Sequence, residues 1–145
     1  HTPGLLKIAP EHTDDELLCL MHKESHELLQ QFVAECRKIG KEIGKKIELT
    51  PYVITAHPGS TPKHAKNLAQ DMQKLGLQIR KFQDFTPTPG TLSTAMYVTG
   101  LQPGSRVPLS VPRKQSERQE QRKIIEKSMP RKSASLHKLT LRKKK

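Results

Sequence analysis

The sequence predicts an α/β fold with about three parallel strands and their helices, followed by a basic tail. Short apolar or β-branched runs alternate with amphipathic stretches of helical spacing. Each stretch between two runs is long enough for the crossover that parallel pairing requires. Charge is unevenly placed: residues 1–105 hold 12 Lys/Arg and 11 Asp/Glu, whereas residues 106–145 hold 14 and 3.

Leu5–Ala9 is an apolar run that stops at Pro10, as a buried strand entering a loop does. Thr13-Asp14-Asp15-Glu16 has the spacing of a capping box, with the Thr13 hydroxyl and Glu16 carboxylate serving the free amides of a helix start. Leu17, Leu18, Leu20 and Met21 form the apolar face of that helix. From Ser25 to about Ile43, Leu28, Leu29, Phe32, Val33, Cys36 and Ile39 recur at helical spacing, and Gly40 and Gly44 mark the end. Ile47–Thr55 is rich in β-branched and aromatic residues and reads as the second strand. After the His57-Pro58-Gly59-Ser60 turn, Thr61 and Pro62 suit the N-cap and first position of a helix closed by Gly76. Leu77–Phe85 is the third strand, and Pro87-Thr88-Pro89-Gly90 reverses the chain.

The order is therefore β-α-α-β-α-β over residues 1–104, and three parallel strands make an incomplete α/β body. Residues 105–145 contain prolines, lack aromatics and carry the excess cations, a composition that predicts disorder apart from a helix at 115–128.

No run approaches the ~20 apolar residues of a membrane span, so no membrane contact is expected. Cys19 and Cys36 lie in one helical region about 25 Å apart if it is continuous, too far for a disulfide, which points to a reducing, cytoplasmic setting. Cys19, His22 and His26 have the spacing of a one-helix zinc site. The Lys23–Ser25 seam between two helices would scatter them, so a core Cys19 with exposed histidines is expected and no metal site is assigned.

In parallel α/β proteins the ligand site lies at the carboxyl ends of the strands. Three loops qualify: Pro10-Glu11-His12, Ala56–Thr61 and Thr86–Thr91. Ser60 and Thr61 would also suit an anion at a helix start, a generic signal.

These loops carry a resemblance. KIAPEHTDDELLCLMHK (Lys7 to Lys23) is similar to the fourth strand and following helix of radical S-adenosylmethionine (radical SAM) enzymes. YVITAHPGST (Tyr52 to Thr61) resembles their fifth strand and its turn, and DFTPTPGT (Asp84 to Thr91) their sixth-strand loop. The wording APEHT, HPGST and QDFTPTPGTLSTAMY is similar to the YgiQ subgroup, and the likeness runs from about Leu5 to Gly104.

The resemblance implies the C-terminal half of a partial (β/α)6 TIM-like barrel. It also implies a 4Fe-4S cluster on a C-x-x-x-C-x-x-C loop and reductive cleavage of S-adenosylmethionine. This chain has no such triad, so the cluster ligands would lie upstream, and the chain would be inactive without the upstream half of the same barrel. Glu11, His12, His57, Pro58 and Gly59 would face S-adenosylmethionine, with Gly59 admitting backbone close to it. Asp84, Thr86, Thr88 and Gly90 would face a substrate of unknown identity. The bland alternatives are a carboxylate beside a helix dipole for Glu11, a surface histidine for His12, an ordinary strand-to-helix turn for His57–Gly59, and a Pro-rich reversal for the last loop. A different reading makes the 106–145 tail a nonspecific nucleic-acid or ribosome contact through phosphates, without aromatic platforms for bases.

Overall fold

A computed structural model describes residues 5–130. In chain order it contains β1 (Leu5–Glu11), α1 (Asp15–Leu20), α2 (His26–Glu42), β2 (Glu48–Thr55), α3 (Pro62–Lys74), β3 (Lys81–Asp84), α4 (Leu92–Thr99) and α5 (Gln115–Ser128). The strands form one open, all-parallel sheet in the order β1-β2-β3.

Register places Leu6 beside Leu49, Ile8 beside Pro51, and Val53 beside Phe82 on one face. That face packs with Val33 of α2, Ala65, Leu68 and Met72 of α3, and Ile125 of α5. Side chains alternate along a strand, so Leu5, Lys7, Thr50, Tyr52, Lys81 and Gln83 share the opposite face. There Leu5, Lys7, Tyr52, Lys81 and Gln83 are exposed, and no core cluster forms.

Local differences from the sequence expectation have tertiary causes. The N-cap of α1 is Asp14, whose carboxylate accepts from the Leu17 amide at 3.2 Å. Thr13 is drawn away to Asp71 on α3, donating its hydroxyl at 3.1 Å. Leu77 and Ile79 are buried against the core but precede β3, which pairs with β2 only from Lys81. Cys19 is exposed rather than core, and both cysteines are free.

The tail was expected to leave the fold at residue 105, and its described part does not. Gly59 N–H donates to Ser110 O at 2.7 Å, and Leu109 N–H to Gly100 O at 2.7 Å. The expected helix at 115–128 is present as α5, and it packs on α3 with Ile125 0% exposed. A boundary at residue 104 would cut through this packing. Residues 131–145, where the rest of the basic-tail reading falls, lie outside the described residues.

Candidate functional site

β1 and β2 leave the sheet through the same unusual backbone state: Glu11 has φ 62° and Ala56 φ 58°. A left-handed conformation at a non-glycine residue costs about 1–3 kcal/mol and persists only where surroundings impose it. At Ala56 the amide donates to the buried Gln121 side-chain oxygen at 3.0 Å, and that oxygen also accepts from the Ser60 hydroxyl at 3.0 Å. At Glu11 the carboxylate is 3.2 Å from the Lys23 ammonium.

His57 follows Ala56 and is buried. Its Nδ1 lies 2.7 Å from the Pro58 carbonyl oxygen, which only accepts, so Nδ1 carries the proton. Nε2 then accepts the Ser93 hydroxyl at 2.8 Å. The ring also meets Phe85 edge-on at 5.2 Å. Burial pushes the His57 pKa down, against the opposing pull of the Pro58 carbonyl and Glu11. A neutral His57 thus ties the second loop to α4 and the third loop.

His12 is buried as well. Its Nδ1 accepts from the Asp14 amide at 2.9 Å, which fixes the proton on Nε2. Burial, opposed by Asp14, lowers its pKa to about 4. The unfolded chain protonates His12 first as pH falls below the ordinary value near 6.5. Stability is therefore lost between pH ~6.5 and ~4, by an amount on the order of 3 kcal/mol. Urea unfolding at pH 7.5 and 5.0 should show this loss. His12→Asn, which keeps an acceptor for Asp14, should flatten the slope; an unchanged slope would contradict the assignment.

Other candidates have structural occupations. Gly59 has φ 92°, and an added Cβ would lie 2.7 Å from Leu20 Cδ1 and 3.2 Å from Leu17 Cδ2. The glycine is therefore required by packing on α1. Pro58 is buried beside it. The Asp84 carboxylate accepts from Thr55 Oγ1 at 2.7 Å and from Arg122 Nη1 at 3.0 Å, with Arg118 Nη2 at 3.6 Å. It anchors α5 to β3. Thr88 and Thr86 spend their hydroxyls on loop carbonyls, while the Thr88 amide donates to Thr94 Oγ1 at 2.8 Å. Gly90, at φ 80°, completes that reversal.

Glu11, His12 and His57 stand at the carboxyl ends of the adjacent strands β1 and β2. Asp84, Thr86, Thr88 and Gly90 form the neighbouring wall. Gln121, Ser93, Arg118 and Arg122 carry the construction of this rim and were not singled out by sequence. Ile125, four residues after Gln121, was the available signal for a buried α5 face.

Among the described residues no group of three His, Cys, Asp or Glu side chains is placed to hold a metal. No described helix is long and apolar enough to cross a membrane.

The chain is similar to UPF0313 proteins over most of its length. It is 43% identical over 130 residues to one from Clostridium botulinum (strain 657 / Type Ba4), covering 90% of this chain and 20% of the relative. Relatives from Geobacter sulfurreducens and Methanocella arvoryzae are each 42% identical, covering 86% and 88% of this chain and 21% of the relative. No family model matches the chain. The chain spans about a fifth of the length of these relatives. A match of 130 residues extends beyond residue 104, so the similarity includes sequence from the segment that forms α5.

Proposed function

We propose that this chain is the C-terminal part of the barrel of a UPF0313-type, YgiQ-like radical SAM protein, and that its strand-end rim faces S-adenosylmethionine. One observation carries the reading. The three motif-bearing loops lie at the carboxyl ends of three adjacent parallel strands whose helices cover one face only. All-parallel sheets occur with both faces covered, so the bare face calls for more protein than the described residues supply. A groove of about 730 Å³ beside β1, lined by Ile8, Pro10, Leu18, Leu29 and Phe32, gives the upstream half a further apolar place to pack.

The iron–sulfur cluster does not fit this chain. Cys19 and Cys36 are its two cysteines, on separate helices, and three thiolates are needed. Those ligands belong to the longer protein. The Glu11 carboxylate, at the strand end, would take the amino group of S-adenosylmethionine by exchanging it for the Lys23 ammonium that it holds at 3.2 Å. That cofactor, with a cluster, supplies a 5′-deoxyadenosyl radical. The chain's own residues bind and position: Glu11 accepts from the ammonium group, while His57, neutral and held from both ring nitrogens, keeps the second loop against α4. The substrate is a separate matter from this rim.

The experiment is anaerobic reconstitution of a full-length protein carrying this segment, followed by chromatography for 5′-deoxyadenosine. The alternative reading, a basic module for RNA or ribosome, loses part of its surface here, because Arg118 and Arg122 are engaged by Asp84.

A further inference from the structure

The bare face of the sheet has a definite chemistry. From the amino to the carboxyl end it presents Leu5 with Glu48, Lys7 with Thr50, Tyr52 with Lys81, and Ile54 with Gln83. Glu48 is its single acid, at the amino end, and it is occupied by Lys46 at 3.6 Å and Arg80 at 3.8 Å. Lys7 and Lys81 are both exposed, and neither is in an ion pair among the described residues. The Tyr52 hydroxyl hydrogen-bonds to the Gln83 side-chain oxygen, which leaves the Gln83 NH2 free to donate outward.

The two lysines stand two strands apart and one pleat level apart, about 12 Å between Cα atoms. Their flexible four-carbon stems let both ammonium groups reach one anion between them. Covering this face with apolar protein would strand two unpaired cations, each at a cost of several kcal/mol. The occupant must bring negative charge and accept hydrogen bonds.

We propose that the open face formed by Lys7, Thr50, Tyr52, Lys81 and Gln83 binds the oxyanion of a small polar substrate, a phosphate or a carboxylate. The inference rests on the barrel reading, in which this face becomes an enclosed interior below the cofactor rim. It assigns the substrate's anion to the sheet face and leaves the wall of Asp84 and the threonines as support.

The test is site-resolved lysine reactivity. Reductive methylation of the intact 145-residue chain is followed by mass spectrometry in inorganic phosphate, in acetate and in chloride at equal ionic strength. Slowing of Lys7 and Lys81 by at least threefold, with Lys66 on α3 unchanged, is the expected result. The stronger of the phosphate and acetate arms identifies the anion class. Lys7→Gln should remove the protection of Lys81, and Lys81→Gln that of Lys7, with thermal unfolding checking the fold of each. Equal slowing at Lys66 would reduce the effect to general screening and overturn the proposal. So would methylation of Lys7 and Lys81 at the same rate in phosphate, acetate and chloride. Cleavage of S-adenosylmethionine is read separately by 5′-deoxyadenosine, so loss of one result leaves the other interpretable.

Discussion

Gly59→Ala should destabilise the protein by about 3 kcal/mol, seen as a lower urea midpoint at unchanged slope. Two effects add. The φ of 92° is a region that alanine enters at a cost of about 1–3 kcal/mol. The new methyl would also stand 2.7 Å from Leu20 Cδ1 and 3.2 Å from Leu17 Cδ2. Leu20 is half-buried and can turn aside, but Leu17 is 1% exposed and cannot, which brings an overpacking cost of about 1–3 kcal/mol. A change within about 0.5 kcal/mol would show that the turn does not pack on α1 as described.

Ending the chain at Pro112, which removes α5, should abolish the cooperative thermal transition. Ile125 is completely buried with Val53, Ala65, Leu68 and Met72, so its loss opens the core on the α3 side. Gln121 leaves with it, exposing the Ala56 amide and Ser60 hydroxyl that it satisfies, and Asp84 loses both arginines. Gln121→Leu alone should cost about 2–6 kcal/mol, because two buried donors are left unpaired at about 1–3 kcal/mol each. A truncated chain that still unfolds cooperatively would place the folding unit within residues 1–112. The same deletion would then revive the view of the tail as a separate module.

The order of the first six elements was legible because period and punctuation agreed there. Leu28, Leu29, Phe32 and Val33 repeat at helical spacing, and Thr61-Pro62 marks a helix start. α4 escaped because it is eight residues of apolar and hydroxyl side chains, with no charged face to reveal a helical period. The integration of α5 escaped for the opposite reason. Its buried positions are Gln121 and Ile125 among charges, and a buried glutamine looks like a solvated one in sequence. The placement of Glu11 and His57 at strand ends was legible, because each follows an apolar run that reads as a strand. The occupations of Asp84 and Gly59 were not, since their partners lie elsewhere: Arg122 is 38 residues from Asp84, and Leu20 belongs to another element.

The most direct measurement is 5′-deoxyadenosine released from S-adenosylmethionine by an anaerobically reconstituted, full-length protein carrying this segment, with Glu11→Gln measured beside it. Release by the unaltered protein, and at least a tenfold higher requirement for S-adenosylmethionine in Glu11→Gln with the cluster spectrum unchanged, is the predicted result. A fully loaded cluster with no cleavage, or a Glu11→Gln protein indistinguishable from the original, would contradict the assignment of this rim to the cofactor.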